Sequence, residues 1–464
     1  MGSNPIGLIF RFLLRLHCFA ICNFVSRSRV VMFSVRGWLA VMLCVSCASA
    51  ADWPQWRGPG GQGHSTAKNL PLTWSETENI AWRTEIPGRA WSSPVIDGQH
   101  IWLTTAVESA APTAEKEKKL KANFAGQPLN IVGKVSLRAV CVDRSTGKLL
   151  HDVELLVAES PDPVHQLNSF ASPSPILEDG RLYAYFGTNG TACLDTTTSK
   201  VLWTNRELNL KHENGPGSTP ILWGDLLIVH CDGSDTQSIA ALNKLDGKIA
   251  WRTNRSGEMN SEPQLKKAYG TPLITNVGGR EAVLSPAADW LYAYEPETGR
   301  ELWKLSYGAQ GFSIVPRPVV GHGMIFFGTS FMKPEILAVT LDDKPKIAWR
   351  FSKQAPNMPS PLLVGDELYI VADKGVATCL DAKTGQANWT ERLGGNFCSS
   401  PLFADGRILI GNREGQTFVM APGKTYKLLA TNSLDGEIMA TPAAVDAALF
   451  VRTNKALYRI AAKK

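Results

Sequence analysis

Ten side chains able to hold a ligand recur at one kind of place in this 464-residue sequence, the stretch ahead of a proline that opens an apolar run. They are Trp91; His165, Asn168 and Ser169; His212 and Asn214; Tyr269; Phe312; Asn357; and Asn396. Amides and imidazoles supply neutral donors and acceptors, and the rings supply flat apolar faces. That mixture suits a neutral polar ligand or a peptide segment. The competing reading is structural, with the same groups capping strands and filling space. Patterns for other chemistry are weak. There is no HExxH, GxSxG or Walker loop, and His165, His212 and His322 are too dispersed for a zinc motif. Asp232 and Asp235 stand at a spacing that could serve Ca²⁺, but further acidic ligands are missing, so a polar hairpin turn is the better reading.

The elements that would position these residues come from a repeat, the first feature to seek in a chain of this length. Eleven-residue units run from a small residue to a tryptophan: CLDTTTSKVLW (193–203), ALNKLDGKIAW (241–251), AYEPETGRELW (293–303) and CLDAKTGQANW (379–389). CVDRSTGKLLH (141–151) keeps the spacing with His151 in the tryptophan place, AVTLDDKPKIAW (338–349) is one residue longer, and VMAPGKTYKLL (419–429) keeps only the length. The Asp or Asn bonds turn backbone, Gly supplies positive φ, and alternation on either side gives half-buried strands. A tryptophan repeated at one place is a packing device between units.

Innermost strands are expected after Pro94, Pro175, Pro220, Pro272, Pro318, Pro361, Pro401 and Pro442. Four-stranded units at this spacing predict an all-β fold, an eight-bladed β-propeller. The long interval between Pro94 and Pro175 holds Ala106–Lys134 with the charged run 115–119, read as a solvated insertion in the first blade. The eighth unit ends one strand short. Ile80-Ala81-Trp82-Arg83-Thr84 repeats Ile249-Ala250-Trp251-Arg252-Thr253 letter for letter, so an N-terminal strand is expected to close the last blade and leave no open edge.

Residues 1–50 contain Arg11, Arg15, Arg27, Arg29 and Arg36 but no Asp or Glu. Arg36, the apolar run 37–45 and Ala48-Ser49-Ala50 form a secretory signal that ends before Ala51, complete from Met32 onward. Neither this run nor the apolar run Leu8–Ala20 reaches the roughly 20 residues needed to span a bilayer, so an integral membrane protein is not expected. Without the leader, 48 Lys+Arg become 43 against 42 Asp+Glu, and a basic surface for nucleic acid disappears. Five cysteines remain beyond it: Cys141, Cys193, Cys231, Cys379 and Cys398. Three share one repeat position, which argues for small core residues over a disulfide framework.

The hairpins, close to AxDxxTGKxxW, resemble the tryptophan-docking pyrroloquinoline-quinone repeats of quinoprotein alcohol dehydrogenases and of the outer-membrane assembly factor BamB. The opening DWPQWRGPGGQGHS (52–65) is similar to that of exported propellers of planctomycete-type bacteria. The resemblance covers residues 51–464 and implies a fold more than an activity. Its quinone-binding members use adjacent cysteines, a stacking tryptophan and Ca²⁺; no Cys-Cys pair or CxxCH haem site occurs here. The expectation is therefore a periplasmic or extracellular scaffold with protein partners and no cofactor. A quinone- and Ca²⁺-dependent alcohol or sugar dehydrogenase, and a carbohydrate or small-ligand binder, stand as alternatives.

Overall fold

The computed structural model describes residues 52–123, 126–308, 312–329 and 331–462. Eight four-stranded antiparallel sheets follow one another along the chain, and a two-stranded sheet lies outside them. All eight expected prolines directly precede an innermost strand, from Val95–Asp97 in blade one to Ala443–Val445 in blade eight. The innermost strands are mostly three residues long, as expected where blades crowd an axis. Ile80–Glu85 closes blade eight against Ala456–Ile460, with Ile80 opposite Ile460, Trp82 opposite Arg459 and Glu85 opposite Ala456.

The residue before each proline forms a belt around the axis. The backbone N–H of Ser93 donates to Ser174 Oγ, Ser174 to Thr219 Oγ1, and Thr219 to Thr271 Oγ1. On the far side Arg317 N–H donates to Ser360 Oγ, Ser360 to Ser400 Oγ, Ser400 to Thr441 Oγ1, and Thr441 back to Ser93 Oγ. Donor–acceptor distances are 2.8–3.1 Å. Each hydroxyl also fills the acceptor role that a proline-interrupted backbone cannot supply locally. The step from Thr271 to blade five lacks a hydroxyl, because Arg317 stands in the Ser/Thr position.

A second belt lies outside the first. Trp Nε1 reaches a carbonyl in the next blade's hairpin at Trp82–Arg144, Trp203–Lys244, Trp251–Pro296, Trp349–Ala382 and Trp389–Gly423, at 2.9–3.1 Å. The hairpin glycines do more than permit positive φ. A Cβ on Gly247 would lie 2.4 Å from the Trp203 ring, and one on Gly385 2.6 Å from Trp349, so glycine is the seat on which the indole rests. Trp303 has no partner for its Nε1, and it faces the hairpin that is one residue longer. His151, in the tryptophan place of blade one, stacks on Trp102 at 6.1 Å. Cys141, Cys193, Cys231 and Cys379 are buried and unpaired, and Cys398 is half-buried.

The insertion in blade one is shorter and better anchored than its composition suggests. Strands His100–Ala110 and Val132–Asp143 pair through Ala106–Lys134's two ends, leaving 111–131 as the excursion. Its helix, Thr113–Lys121, is not wholly solvated: Lys119 Nζ donates to Glu115 and to Pro161 O, and Ser160 Oγ donates to Glu115. Leu129–Asn130 pairs with Val164–His165, which fastens the loop leading into blade two.

Two outcomes test this architecture. Ser360→Ala leaves the buried Arg317 N–H without its acceptor and should cost about 1–3 kcal/mol in denaturant unfolding. Deleting residues 52–86 removes the closing strand and should produce aggregates in size-exclusion chromatography; a monomer of unchanged melting temperature would contradict this closure.

Candidate functional site

The axial channel has two mouths. One lies on the face formed by the loops between blades, where all ten sequence-selected residues sit; the other lies on the hairpin face. At the interblade mouth a cavity of about 410 Å³ is lined by Arg89, Trp91, Gln166, Leu167, Arg413, Glu437, Met439 and Asn454. Of the ten, only Trp91 lines it. The Arg89 guanidinium covers its ring at 5.5 Å. Arg413 and Glu437 face each other at 3.8 Å, and Asn454 Oδ1 accepts from the Glu437 amide. Arg89, Arg413, Glu437 and Asn454 carried no signal in the repeat, because they vary in loops that have no common pattern.

Six of the remaining nine form one connected network between the loops entering blades two to four. Asn168 Nδ2 donates to Asn214 O and Pro216 O, and its Oδ1 accepts from the Ser169 amide. Ser169 and Ser172 share a hydrogen bond of 2.8 Å, and His165 Nδ1 accepts from the Leu167 amide. Tyr269 donates to His212 O and its ring stacks on the imidazole at 6.3 Å. Asn214 Oδ1 and His212 Nδ1 are buried with no partner, the two polar atoms of this network left over.

The last three sit apart. Phe312 lies under Lys267 Nζ at 5.7 Å and meets Phe331 edge-on. Asn357 donates through its amide and side chain to Asp373. Asn396 donates likewise to Glu414 and accepts from Lys374. For most of the ten, the capping role is what the geometry displays.

Asp232 and Asp235 do not converge. Asp235 accepts from the Lys211 and Thr236 amides, as a turn residue does. Asp232 points into the interface between blades three and four, where Arg255 Nε bonds both its oxygens and His230 Nε2 lies 2.7 Å from Oδ2. Ser285 Oγ is 3.3 Å from His230 Nδ1, so serine, histidine and aspartate are connected in the order of an acyl-transfer triad. The chemistry is blocked. Ser285 is fully buried, Arg255 Nη2 donates to its Oγ, and Tyr292 and Tyr294 cover the guanidinium at 4.9 and 5.5 Å. Burial alone would raise the Asp232 carboxyl, but Arg255 and His230 hold it below its usual range. This is a fixed ionic rivet between blades.

At the hairpin face the chain's own residues 52–65 lie against the innermost strands as a plug. Trp53 pairs with Ile96, Leu177 N–H donates to Pro54 O, and Val320 N–H donates to Gln62 Oε1. His64 bonds Leu363 O, Phe403 N–H donates to Gly63 O, and Ser65 donates to Ala444 O. The segment thus engages the innermost strands of six blades. Blades three and four are left uncovered, and there a cavity of about 270 Å³ opens between the plug and Ile176, Ile221, Leu273 and Arg317. Trp56 Nε1 reaches the axial belt at Thr441 Oγ1.

A family model described as outer membrane protein assembly factor BamB matches residues 105–253, 138–328, 235–360 and 289–439, overlapping spans that together cover more than two-thirds of the sequence. The chain belongs to this family. It is 26% identical over 173 residues to the BamB of Shewanella oneidensis, covering 34% of this chain and 40% of that protein. With the BamB of Legionella pneumophila it shares 27% over 202 residues, 41% and 50% of the two chains. The chain thus matches half or less of the length of these relatives. A computationally designed protein of known crystal structure superposes with a TM-score of 0.54 at 12% identity, over 82% of this chain and all of that one, a likeness of fold alone. In this BamB-family propeller the plug is the feature that sequence reading missed. Its glycines and tryptophans stood in plain view, but nothing in the repeat says where a segment outside it will lie. Among the described residues no helix is long and apolar enough to cross a membrane.

The network has a pH signature. His212 is buried, its Nε2 accepts the Thr188 N–H, and burial lowers its pKa from 6.5 to about 4. Between these values the unfolded chain takes up a proton that the folded chain refuses. Stability is full above pH 6.5 and falls as pH drops toward 4, by about 3 kcal/mol for this group. His212→Gln, which keeps an acceptor for Thr188, should flatten the urea-midpoint profile over that window.

Proposed function

We propose that this protein is an exported, non-catalytic scaffold of the cell envelope that docks protein partners on its interblade-loop face. The observation that carries the reading is an exposed apolar pair on that face. Phe331 and Met332, in a turn of blade five, are 56% and 66% exposed, and Phe331 abuts Phe312. Large apolar side chains left in water beside a rim of charge are what a partner covers. The helix Thr113–Lys121, braced on Ser160 and Pro161 of the loop to blade two, joins the second and third strands of blade one, as the turn carrying Phe331 does in blade five. Relatives named as outer membrane assembly factors support the same direction. Export follows from the signal read in residues 32–50, which lie outside the described residues.

Pyrroloquinoline quinone with Ca²⁺ is a poor fit to these residues. Ca²⁺ needs several converging oxygens, and the carboxylates of the funnel loops are already engaged: Asp373 by Asn357 and Met358, Glu414 by Asn396, and Glu437 by Arg413. A carbohydrate would want an open aromatic face, and Trp91 already lies beneath Arg89.

A photo-crosslinking residue at Phe331 or Met332 should yield envelope-protein adducts in cells, lost when Leu245 on the hairpin face carries the probe instead. Dye reduction dependent on quinone, Ca²⁺ and an alcohol, or adducts only from position 245, would overturn the proposal.

A further inference from the structure

The plug brings an arginine to the axis where a second arginine already breaks the repeat. Arg57 is fully buried and Arg317 is 3% exposed. Arg57 Nη2 donates to Gln62 O and Pro361 O, and Arg317 Nη1 to Trp56 O. These are neutral carbonyls. No carboxylate faces either guanidinium among the described residues, and the charge that Arg57 feels most is that of Arg317. Glu178, on the far wall of the adjoining cavity, is paired with Lys244. Among the described residues, Arg57 Nε and Nη1 and Arg317 Nε are buried with no hydrogen-bond partner.

Such an arrangement is costly as it stands. A buried unpaired cation loses its hydration, and an orphaned donor loses its hydrogen bond as well. Burial lowers Arg57 to about 9 and Arg317 to about 10, still charged at neutral pH. The backbone is shaped to admit the two side chains. A Cβ on Gly61 would lie 2.0 Å from Arg317 Nη1 and one on Gly63 2.8 Å from Arg57 Nη2, and both glycines have positive φ. Seven blades place Ser or Thr in the belt, so the arginine of blade five stands where a hydroxyl would have completed it.

We infer that Arg57 and Arg317 form a binding site for a small inorganic anion at the propeller axis, with the cavity between the plug and blades two to four as its entrance. The ligand class is a compact anion such as a halide or phosphate, because the orphaned donors belong to two neighbouring buried guanidiniums whose surroundings, Trp56 O, Gly61 and Gly63, leave little room. The anion ties the plug to blade five at the position where the belt has no hydroxyl. It supplies the negative charge that the protein itself withholds.

The test uses the exported form, residues 51–464, in a buffer whose anion is gluconate, with sodium chloride or sodium phosphate added and gluconate kept at constant ionic strength. The melting temperature of the unaltered protein should rise saturably by several degrees with chloride or phosphate. Arg317→Ser restores the repeat's own residue and should fold, lose that rise, and melt no lower than the parent in gluconate. Arg57→Gln should lose the rise while leaving the blades intact. Crystals soaked in bromide should show an anomalous peak between the two guanidiniums. Equal anion responses in the parent and Arg317→Ser, or a bromide map with water alone on Arg57 Nε and Nη1, would overturn the assignment.

Discussion

The relay of backbone N–H to hydroxyl around the axis is the constraint on which the rest of the propeller depends. Proline directly precedes every innermost strand, so the residue before it holds the last free donor ahead of the sheet and is confined to extended backbone. At seven of the eight steps its acceptor is the side chain of the same residue in the next blade. One rule, applied blade by blade, fixes the inner radius, sets the loops that crown the channel and orders the blades in one rotational sense. The tryptophan belt repeats the logic further out, with an indole donor and a hairpin carbonyl.

Much of this was legible in the sequence because it is periodic. The prolines marked all eight innermost strands, and the letter-for-letter copy of Ile249–Thr253 at residues 80–84 marked the strand that closes blade eight. What was not legible lies outside the period. The hydroxyl before seven of the eight prolines could be seen, but its partner is some 40–80 residues away in the chain, and 348 away where the ring closes. The polar loop residues were recognised as a set, yet the set divides by geometry: His165, Asn168, Ser169, His212, Asn214 and Tyr269 bind one another, while Asn357 and Asn396 are held by Asp373 and Glu414. A side chain's type says what it can bond to; only the fold says which partner reached it first. The plug, with two tryptophans and an arginine in one short glycine-rich run, was the clearest sequence signal left without a place.

The first thirty-odd described residues touch nearly the whole ring. Residues 52–65 engage six innermost strands and residues 80–85 complete the last sheet, so the beginning of the chain waits for its end before either can be buried. Such long-range closure slows folding and keeps strand edges exposed until synthesis is finished. The ionic rivet of Asp232, Arg255 and His230 works on a shorter scale, locking blades three and four through groups fully enclosed by their own interface.

Both belts are interrupted between blades four and five, and the outer one also lacks its tryptophan in blades one and seven, where His151 and Leu429 stand in its place. Between blades four and five the axial relay meets Arg317 instead of a hydroxyl, and there too Trp303 Nε1 finds no carbonyl. Blade eight, where the two ends of the chain meet, stands across the disc from that boundary. A round object with a glued joint on one side and a missing pair of stitches on the other does not bend equally in all directions. Fewer hydrogen bonds cross the boundary between blades four and five than cross its neighbours in the axial relay, so that seam is where the ring is expected to part first.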